Sequence, residues 1–137
     1  MKNDKKHMIL IVDDEIINST LLDNILNTEY DTRIVNSGAD ALDFVKKHKP
    51  DIILLDIVMP GMDGLEVLTA LKGNETTRDI PVIIITGVND TEYEEKGLTI
   101  GAGDYITKPY SPIIVKLRLK NQLDYQALKN KIAELIK

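Results

Sequence analysis

A short apolar run that ends in an acid constrains the fold of this chain more than any other feature. The run is Ile52 to Leu55, Asp56 follows it, and a Pro60-Gly61 turn comes soon after. Such a run between turn residues is typical of a strand buried on both faces of a parallel sheet. Because α/β sheets hold their ligands at the carboxyl ends of such strands, Asp56 is predicted to serve chemistry rather than packing.

The rest of the chain alternates predicted strands with predicted helices. The strands are expected at residues 8–12, 32–35, 52–55, 81–86 and 104–107, and a helix follows each of them. This alternation predicts an α/β fold with a doubly wound parallel sheet and right-handed crossovers. We expect the flavodoxin-like (βα)5 arrangement with strand order 2-1-3-4-5.

Apolar spacing and turn residues predict further details of the helices. The fourth helix starts at Asp90 or Thr91 and is predicted to be broken by Gly97. The last begins at Ser111-Pro112, where proline is tolerated, and its pattern continues to Lys137. The first helix is predicted from apolar residues that recur at helical spacing: Ile16, Ile17, Leu21, Leu22, Ile25 and Leu26.

Composition excludes several classes of protein. The 137 residues suit one domain, and the net charge of -5 argues against binding of nucleic acid or anionic membrane by this segment. The absence of cysteine excludes disulfides and thiolate metal sites. Residues 1–7 resemble no signal peptide and are expected to be disordered, and no apolar run could span a bilayer. The cytoplasm is the expected compartment.

Polar residues stand where the predicted strands end. Asp13-Asp14, Asp56, Thr86 and Lys108 follow four different strands, so they would meet at one edge of the sheet. Carboxylates brought this close repel one another unless a cation joins them, and Mg²⁺ (or Mn²⁺) prefers such oxygen ligands. Two acids for the metal, an acceptor acid, a hydroxyl and an ammonium together predict a phosphoryl-accepting site.

Each of these residues, taken alone, also has a structural explanation. Asp13, Asp14 or Asp63 could cap a helix, and Asp56 could accept from loop amides. Thr86 could be an ordinary strand residue, and Lys108 could be a solvated surface ion. Tyr105 could pack flat with its hydroxyl in water. Their joint placement at the strand ends favours the site. His7 and His48 lack ligand partners nearby in sequence, so no metal or phosphohistidine role is expected for them.

From about Met8 to Leu123, these motifs resemble the receiver domain of two-component response regulators. The matching segments are Asp13-Asp14, Asp56 with Met59-Pro60-Gly61-Met62-Asp63-Gly64, Thr86, and Gly101 to Pro109. The resemblance implies that a sensor histidine kinase or a histidine phosphotransfer protein phosphorylates Asp56. It implies a domain that catalyses its own phosphorylation and dephosphorylation and nothing else.

The resemblance also assigns the other residues of the site. Asp13, Asp14, Asp56 and the backbone carbonyl of Val58 would bind Mg²⁺, and Lys108 would be the family's lysine. Thr86 and Tyr105 would be switch residues that reshape the face made by the fourth helix, fifth strand and fifth helix. The Lys108-Pro109 bond is expected to be cis. Two departures are Gly87, where alanine is usual, and Gly103, where an acid is common.

Residues 124–137 are predicted to form a helical extension. Tyr125, Leu128, Ile132 and Leu135 step by three and four residues, as in a short coiled-coil seam, and Arg118 and Asn121 continue the register as polar members. The extension is expected to be a coiled-coil linker to an output domain outside this chain. The alternative is an amphipathic helix that covers its own domain. A homodimer could form through this helix or through the switch face.

Two other functional classes fit the sequence less well. A phosphatase or phosphotransferase of the dehalogenase type would need a second acid two positions after the nucleophile, where this chain has Val58. A flavodoxin-like flavin carrier would need a glycine- and hydroxyl-rich phosphate loop after strand one, where this chain has Asp13-Asp14-Glu15. Both patterns disfavour these classes.

Overall fold

One parallel sheet with helices on both faces forms the protein. The computed structural model describes residues 5–87 and 90–136. The strands, in the order β2-β1-β3-β4-β5, are β1 (Met8–Val12), β2 (Asp31–Val35), β3 (Ile52–Asp56), β4 (Val82–Thr86) and β5 (Asp104–Thr107). The helices are α1 (Ile16–Leu26), α2 (Gly38–Lys47), α3 (Gly64–Lys72), α4 (Thr91–Ile100) and α5 (Pro112–Leu135). The predicted fold class and strand order are therefore confirmed.

Some predictions fall on residues outside the described ranges. The disorder predicted for residues 1–7 includes residues 1–4, and the predicted helical extension includes Lys137. Residues 1–4 and Lys137 lie outside the described residues.

Alternate residues of the central strands enter two separate hydrophobic clusters. Leu10, Ile53 and Ile84 pack with residues of α2, α3 and α4 on one face. Ile9, Leu54 and Ile83, their neighbours in sequence, pack with α1 and α5 on the other. This is the two-residue period of a strand covered on both sides. The strands are apolar along their length, so their polar residues lie at the ends.

Local capping fixes where two of the helices near the site begin. Asp63 and Glu66 form a capping box at the start of α3, and the Ser111 hydroxyl accepts from the Ile114 N–H at the start of α5. Gly64 permits α3 to start against the end of β3, because a Cβ there would lie 2.5 Å from the Asp56 carbonyl oxygen. The loop after Asp56 is thereby held close to the strand.

The apolar residues of α1 divide between the interior and the surface. Leu22 and Leu26 are buried, but Ile16, Ile17 and Leu21 are 72%, 83% and 49% exposed. Ser19 takes the inward position instead, and its hydroxyl donates to the Ile16 carbonyl at 3.2 Å. Because that hydrogen bond satisfies the hydroxyl, Ser19 can be buried and the helix can turn three apolar side chains outward.

The predicted break of α4 at Gly97 was wrong. The helix runs without interruption from Thr91 to Ile100. Gly97 is buried, and a Cβ at that position would collide with the Ile84 side chain. The glycine therefore brings α4 close to β4 rather than ending the helix.

The long helix α5 leaves the body of the domain towards its carboxyl end. Val115 and Leu119 are buried, whereas residues 127–136 are all exposed. None of the helices within residues 5–87 and 90–136 combines the length and the apolar character of a bilayer-spanning segment.

Candidate functional site

Three carboxylates meet at the carboxyl ends of β1 and β3. The two strands are neighbours, and the Val12 and Leu55 positions are paired, so the acids that follow them adjoin. One carboxylate oxygen from each of Asp13, Asp14 and Asp56 lies within 4.8 Å of the others. Asp13 and Asp56 are buried, at 1% and 3% exposure, and Asp14 is partly exposed. The structure therefore brings together the three acids that the sequence placed at these strand ends.

Burial and mutual repulsion disturb the ionisation of this cluster. Burial, with the charge of Asp13, raises the pKa of Asp56 to about 6 against the opposing effect of Lys108. Burial also raises the pKa of Asp13, although the Glu15 N–H donates to its Oδ1 at 2.9 Å and acts in the opposite direction. Both shifts show that the folded chain holds these negative charges at a cost in free energy.

The acidic cluster fits a divalent cation. The Oδ2 atom of Asp13 is buried and has no hydrogen-bond partner among the described residues. A buried carboxylate oxygen without a partner is unfavourable, and the three nearby oxygens form the hard donor set that Mg²⁺ or Mn²⁺ takes. The Val58 side chain is 62% exposed, and its backbone N–H acts to lower the Asp56 pKa. A metal-binding role for the Val58 carbonyl stays a prediction.

Lys108 brings a positive charge to the acceptor acid. Its Nζ atom lies 3.5 Å from the Asp56 Oδ1 atom, and its side chain is 30% exposed. The Lys108 backbone N–H donates to the Thr86 carbonyl at 2.7 Å, which fixes the loop after β5 to the end of β4. The Lys108-Pro109 peptide bond, which the resemblance led us to expect as cis, is cis.

Thr86 and Tyr105 lie on the strands beyond Asp56. Thr86 is buried, and its hydroxyl donates to the Glu94 Oε2 atom of α4 at 2.9 Å. Tyr105 is half-buried and packs against the hydrophobic cluster that contains Ile84 and Ala102. Their roles as switch residues stay predictions.

Sequence reasoning missed two residues that contact this region. Glu94 accepts from Thr86, and no pattern in the sequence indicates that contact. Tyr110 is half-buried, and burial together with the charges of Asp13 and Asp56 raises its pKa to about 12. Its place two residues after Lys108 was the available signal that it would lie near the acids.

The two departures from the family pattern have local explanations. The Gly87 N–H donates to the Asp90 Oδ2 atom at 2.8 Å, and a Cβ at Gly87 would lie 2.9 Å from that flexible oxygen. The Gly103 carbonyl accepts from the Gln122 amide at 3.2 Å, and a Cβ at Gly103 would collide with that amide. Neither glycine removes a group from the acidic cluster.

Comparison with known proteins shows the family of the chain. Residues 9–120 match the family model of the response regulator receiver domain. The chain belongs to this family. Receiver domains are signalling domains of two-component systems that accept a phosphoryl group, and magnesium binding is general in the family. The predicted family is thus confirmed.

Individual relatives agree with the family assignment. The receiver domain is 39% identical over 122 residues to a probable cyclic di-GMP phosphodiesterase of Vibrio cholerae serotype O1, covering 89% of this chain and 28% of that protein. It is 41% identical over 114 residues to the response regulator PleD of Caulobacter vibrioides, covering 82% of this chain and 25% of PleD. The crystal structure of a putative response regulator from Chloroflexus aurantiacus matches with a TM-score of 0.84 at 32% identity, covering 88% of this chain and 99% of that chain.

Proposed function

We propose that this receiver domain accepts a phosphoryl group on Asp56 from a sensor histidine kinase or a histidine phosphotransfer protein in the cytoplasm. The observation that carries the proposal is the contact of Lys108 with Asp56, at 3.5 Å, beside the two further acids Asp13 and Asp14. In the reaction an Asp56 oxygen bonds to phosphorus while the bond from phosphorus to the donor nitrogen breaks. Hydrolysis by water later returns the carboxylate. The domain catalyses these two reactions of its own and no others.

Each residue of the site has a role in this proposal. Asp13, Asp14, Asp56 and the Val58 carbonyl would hold Mg²⁺, which when bound offsets negative charge on the acids and the phosphoryl oxygens. The Lys108 ammonium holds a phosphoryl oxygen opposite the acids. The Thr86 hydroxyl donates to another phosphoryl oxygen once phosphorylation has occurred.

A small acyl phosphate tests the proposal without a protein donor. Wild type incubated with this donor and Mg²⁺ should gain the mass of one phosphoryl group, and a chelator should prevent the gain. Asp56→Asn should show no gain, while Asp51→Asn, at the opposite end of the same strand, should react like wild type. Equal labelling of Asp56→Asn and wild type would refute the assignment.

The outward apolar residues of α1 support a protein phosphodonor. Ile16, Ile17 and Leu21 are exposed, and Leu21 lines a groove of about 370 Å³. That groove is lined by Asn18, Leu21, Lys108, Pro109 and Tyr110, so it adjoins the lysine of the site. We assign this surface to a helix of the donor protein, whose phosphohistidine must reach Asp56. Ile17→Ser should slow transfer from a phosphorylated histidine phosphotransfer protein at least tenfold and leave labelling by acyl phosphate unchanged.

The output surface in this proposal is the face formed by α4, β5 and α5. Phosphorylation adds negative charge and strong acceptors at Asp56, which draw the Thr86 hydroxyl. The Tyr105 ring, which is half-buried on the neighbouring strand β5, then turns into the space that Thr86 leaves. The two packings of this face then differ in population between the free and the phosphorylated domain.

The extension of α5 would pair with a second copy of this chain. In a heptad register, Tyr125 and Ile132 occupy a positions and Leu128 and Leu135 occupy d positions, and these four are 59%, 54%, 60% and 77% exposed. A β-branched residue at a with leucine at d favours a parallel two-stranded coiled coil. In that arrangement Asp124 at g faces Lys129 at e of the other copy, so the charges are complementary.

Cysteine crosslinking tests this pairing because the chain has no cysteine of its own. Under mild oxidation Leu128→Cys should give a disulfide-linked dimer, and Asn130→Cys, on the side of the same helix that borders a groove with Pro50 and Asp51 of its own domain, should not. Equal crosslinking of both variants, or of neither, would contradict the parallel coiled coil.

The expectation that this segment binds neither nucleic acid nor membrane stays a prediction, since some relatives are described as DNA-binding response regulators.

A further inference from the structure

One carboxylate of α4 holds the ends of two strands beside the site. The Glu94 Oε2 atom accepts from the Thr86 hydroxyl at 2.9 Å and from the Thr107 hydroxyl at 3.3 Å. Thr86 ends β4 and Thr107 ends β5, and the two residues are paired in the sheet. Glu94 is half-buried, so water only partly competes for its oxygen.

The Thr86 hydroxyl has a single proton to give. A hydroxyl donates one hydrogen bond at a time, so a Thr86 bound to Glu94 cannot donate to a phosphoryl oxygen on Asp56. Hydrogen bonds to an ionised acceptor are also among the stronger ones in proteins. Activation therefore has to break a charge-assisted hydrogen bond before it can form the new one.

We propose that Glu94 is a latch residue that restrains the Thr86 hydroxyl until the oxygens of a phosphoryl group on Asp56 compete for the same proton. This inference rests on the proposed function of Asp56. Glu94 is a positioning residue, because it acts on the phosphoryl group through Thr86. Once Thr86 is released, α4 loses the hydrogen bond from Glu94 to β4, and the chemistry at Asp56 is thereby coupled to the α4 face.

The rest of α4 is held in place without Glu94. Gly97 packs against the Ile84 side chain, and the Asp90 carboxylate accepts from the Gly87 N–H at 2.8 Å. Replacement of Glu94 is therefore expected to release Thr86 and leave the helix folded, which thermal unfolding would verify. Its neighbour Glu95 is exposed and offers a control on the same helix.

The test is a titration with beryllofluoride, a mimic of the phosphoryl group, in the presence of Mg²⁺, followed by fluorine NMR. Glu94→Ala should bind beryllofluoride about tenfold more tightly than wild type, because the latch no longer opposes the active arrangement. Glu94→Gln keeps a neutral acceptor and should lie between the two. Glu95→Ala should bind like wild type.

A double variant separates a latch from a general effect on stability. In a Thr86→Ala background, the further change Glu94→Ala should no longer alter the affinity. Equal affinities of Glu94→Ala and wild type would overturn the latch, and so would the same tightening in the Thr86→Ala background. Asp56→Asn tests the underlying function in the same titration. If Asp56→Asn binds beryllofluoride as wild type does, the proposed role of Asp56 fails. If Asp56→Asn loses binding while Glu94→Ala keeps the wild-type affinity, only the latch is refuted.

Discussion

Charged groups have different surroundings at the two ends of the sheet. At the amino end, Asp51 is exposed and accepts from the Met8 N–H at 2.7 Å, and the Lys72 ammonium donates to the carbonyls of Arg78 and Ile80 at 3.0 and 2.8 Å. At the carboxyl end, Asp13 and Asp56 are buried together with raised pKa values. Burial also lowers the pKa of Lys72, but its ammonium satisfies two backbone carbonyls, whereas the carboxyl end brings carboxylates together that repel one another. Such an arrangement indicates a site kept for chemistry.

The largest expected difference between the ends concerns stability without metal. Asp56→Asn removes one of two buried, mutually repelling carboxylates, so the free energy of unfolding in chelator should rise by about 1–3 kcal/mol. Asp51→Asn keeps an oxygen acceptor for the Met8 N–H and should change the free energy of unfolding by less than about 0.5 kcal/mol. Urea unfolding of both variants measures this. A destabilised Asp56→Asn would mean that the acid supports the fold.

The pH dependence of stability should follow from the same acid. The folded pKa of Asp56 is about 6, above the value of about 3.9 for an unfolded chain. Between these values the folded state binds more protons, so its stability should fall by about 2 kcal/mol as pH rises from about 4 to 6 and stay lower above. Subtracting the curve of Asp56→Asn from that of wild type, both in chelator, isolates this group. A flat difference would contradict the raised pKa.

Magnesium should act at the carboxyl end of the sheet alone. Removal of one acid in Asp13→Asn should weaken Mg²⁺ binding at least tenfold, about 1.4 kcal/mol, and Asp51→Asn should leave it unchanged. Calorimetric titration near neutral pH provides the affinities. If Asp51→Asn weakened binding as much as Asp13→Asn, the ion would not be held by the acidic cluster.

The smallest effect is expected at an exposed ion pair of the amino end. Asp31 accepts from Arg33 at 3.0 Å, and this interaction lowers the Asp31 pKa. Exposed pairs contribute little because water and salt screen them. Asp31→Asn should therefore unfold at the same urea concentration as wild type within error. A clear loss of stability would show that this ion pair at the amino end contributes to the free energy of unfolding.

The sequence was sufficient where the local pattern determines the outcome. Apolar runs bounded by turn residues located β1, β3 and β4, and parallel strands bring the residues after them to a shared edge. The meeting of Asp13, Asp14 and Asp56 followed from that geometry. The resemblance to receiver domains then supplied roles that spacing alone could not assign.

The sequence was insufficient where the packing of one helix decides the outcome. Helical spacing in α1 showed apolar residues on several sides, and it could not tell that Ser19 would face the sheet in place of Leu21. The contact of Glu94 with Thr86 depends on how closely α4 approaches β4, which Gly97 sets against Ile84. Such contacts are formed between distant parts of the chain and leave no periodic signal.

The most direct measurement of the central claim is the position of the phosphoryl group. Wild type would be treated with Mg²⁺ and a small acyl phosphate, reduced with borohydride, which converts an aspartyl phosphate to homoserine, and digested for peptide mass spectrometry. We predict homoserine at position 56. Homoserine at position 13 or 14 instead, or its complete absence from a protein that binds Mg²⁺, would contradict the assignment of Asp56 as the acceptor.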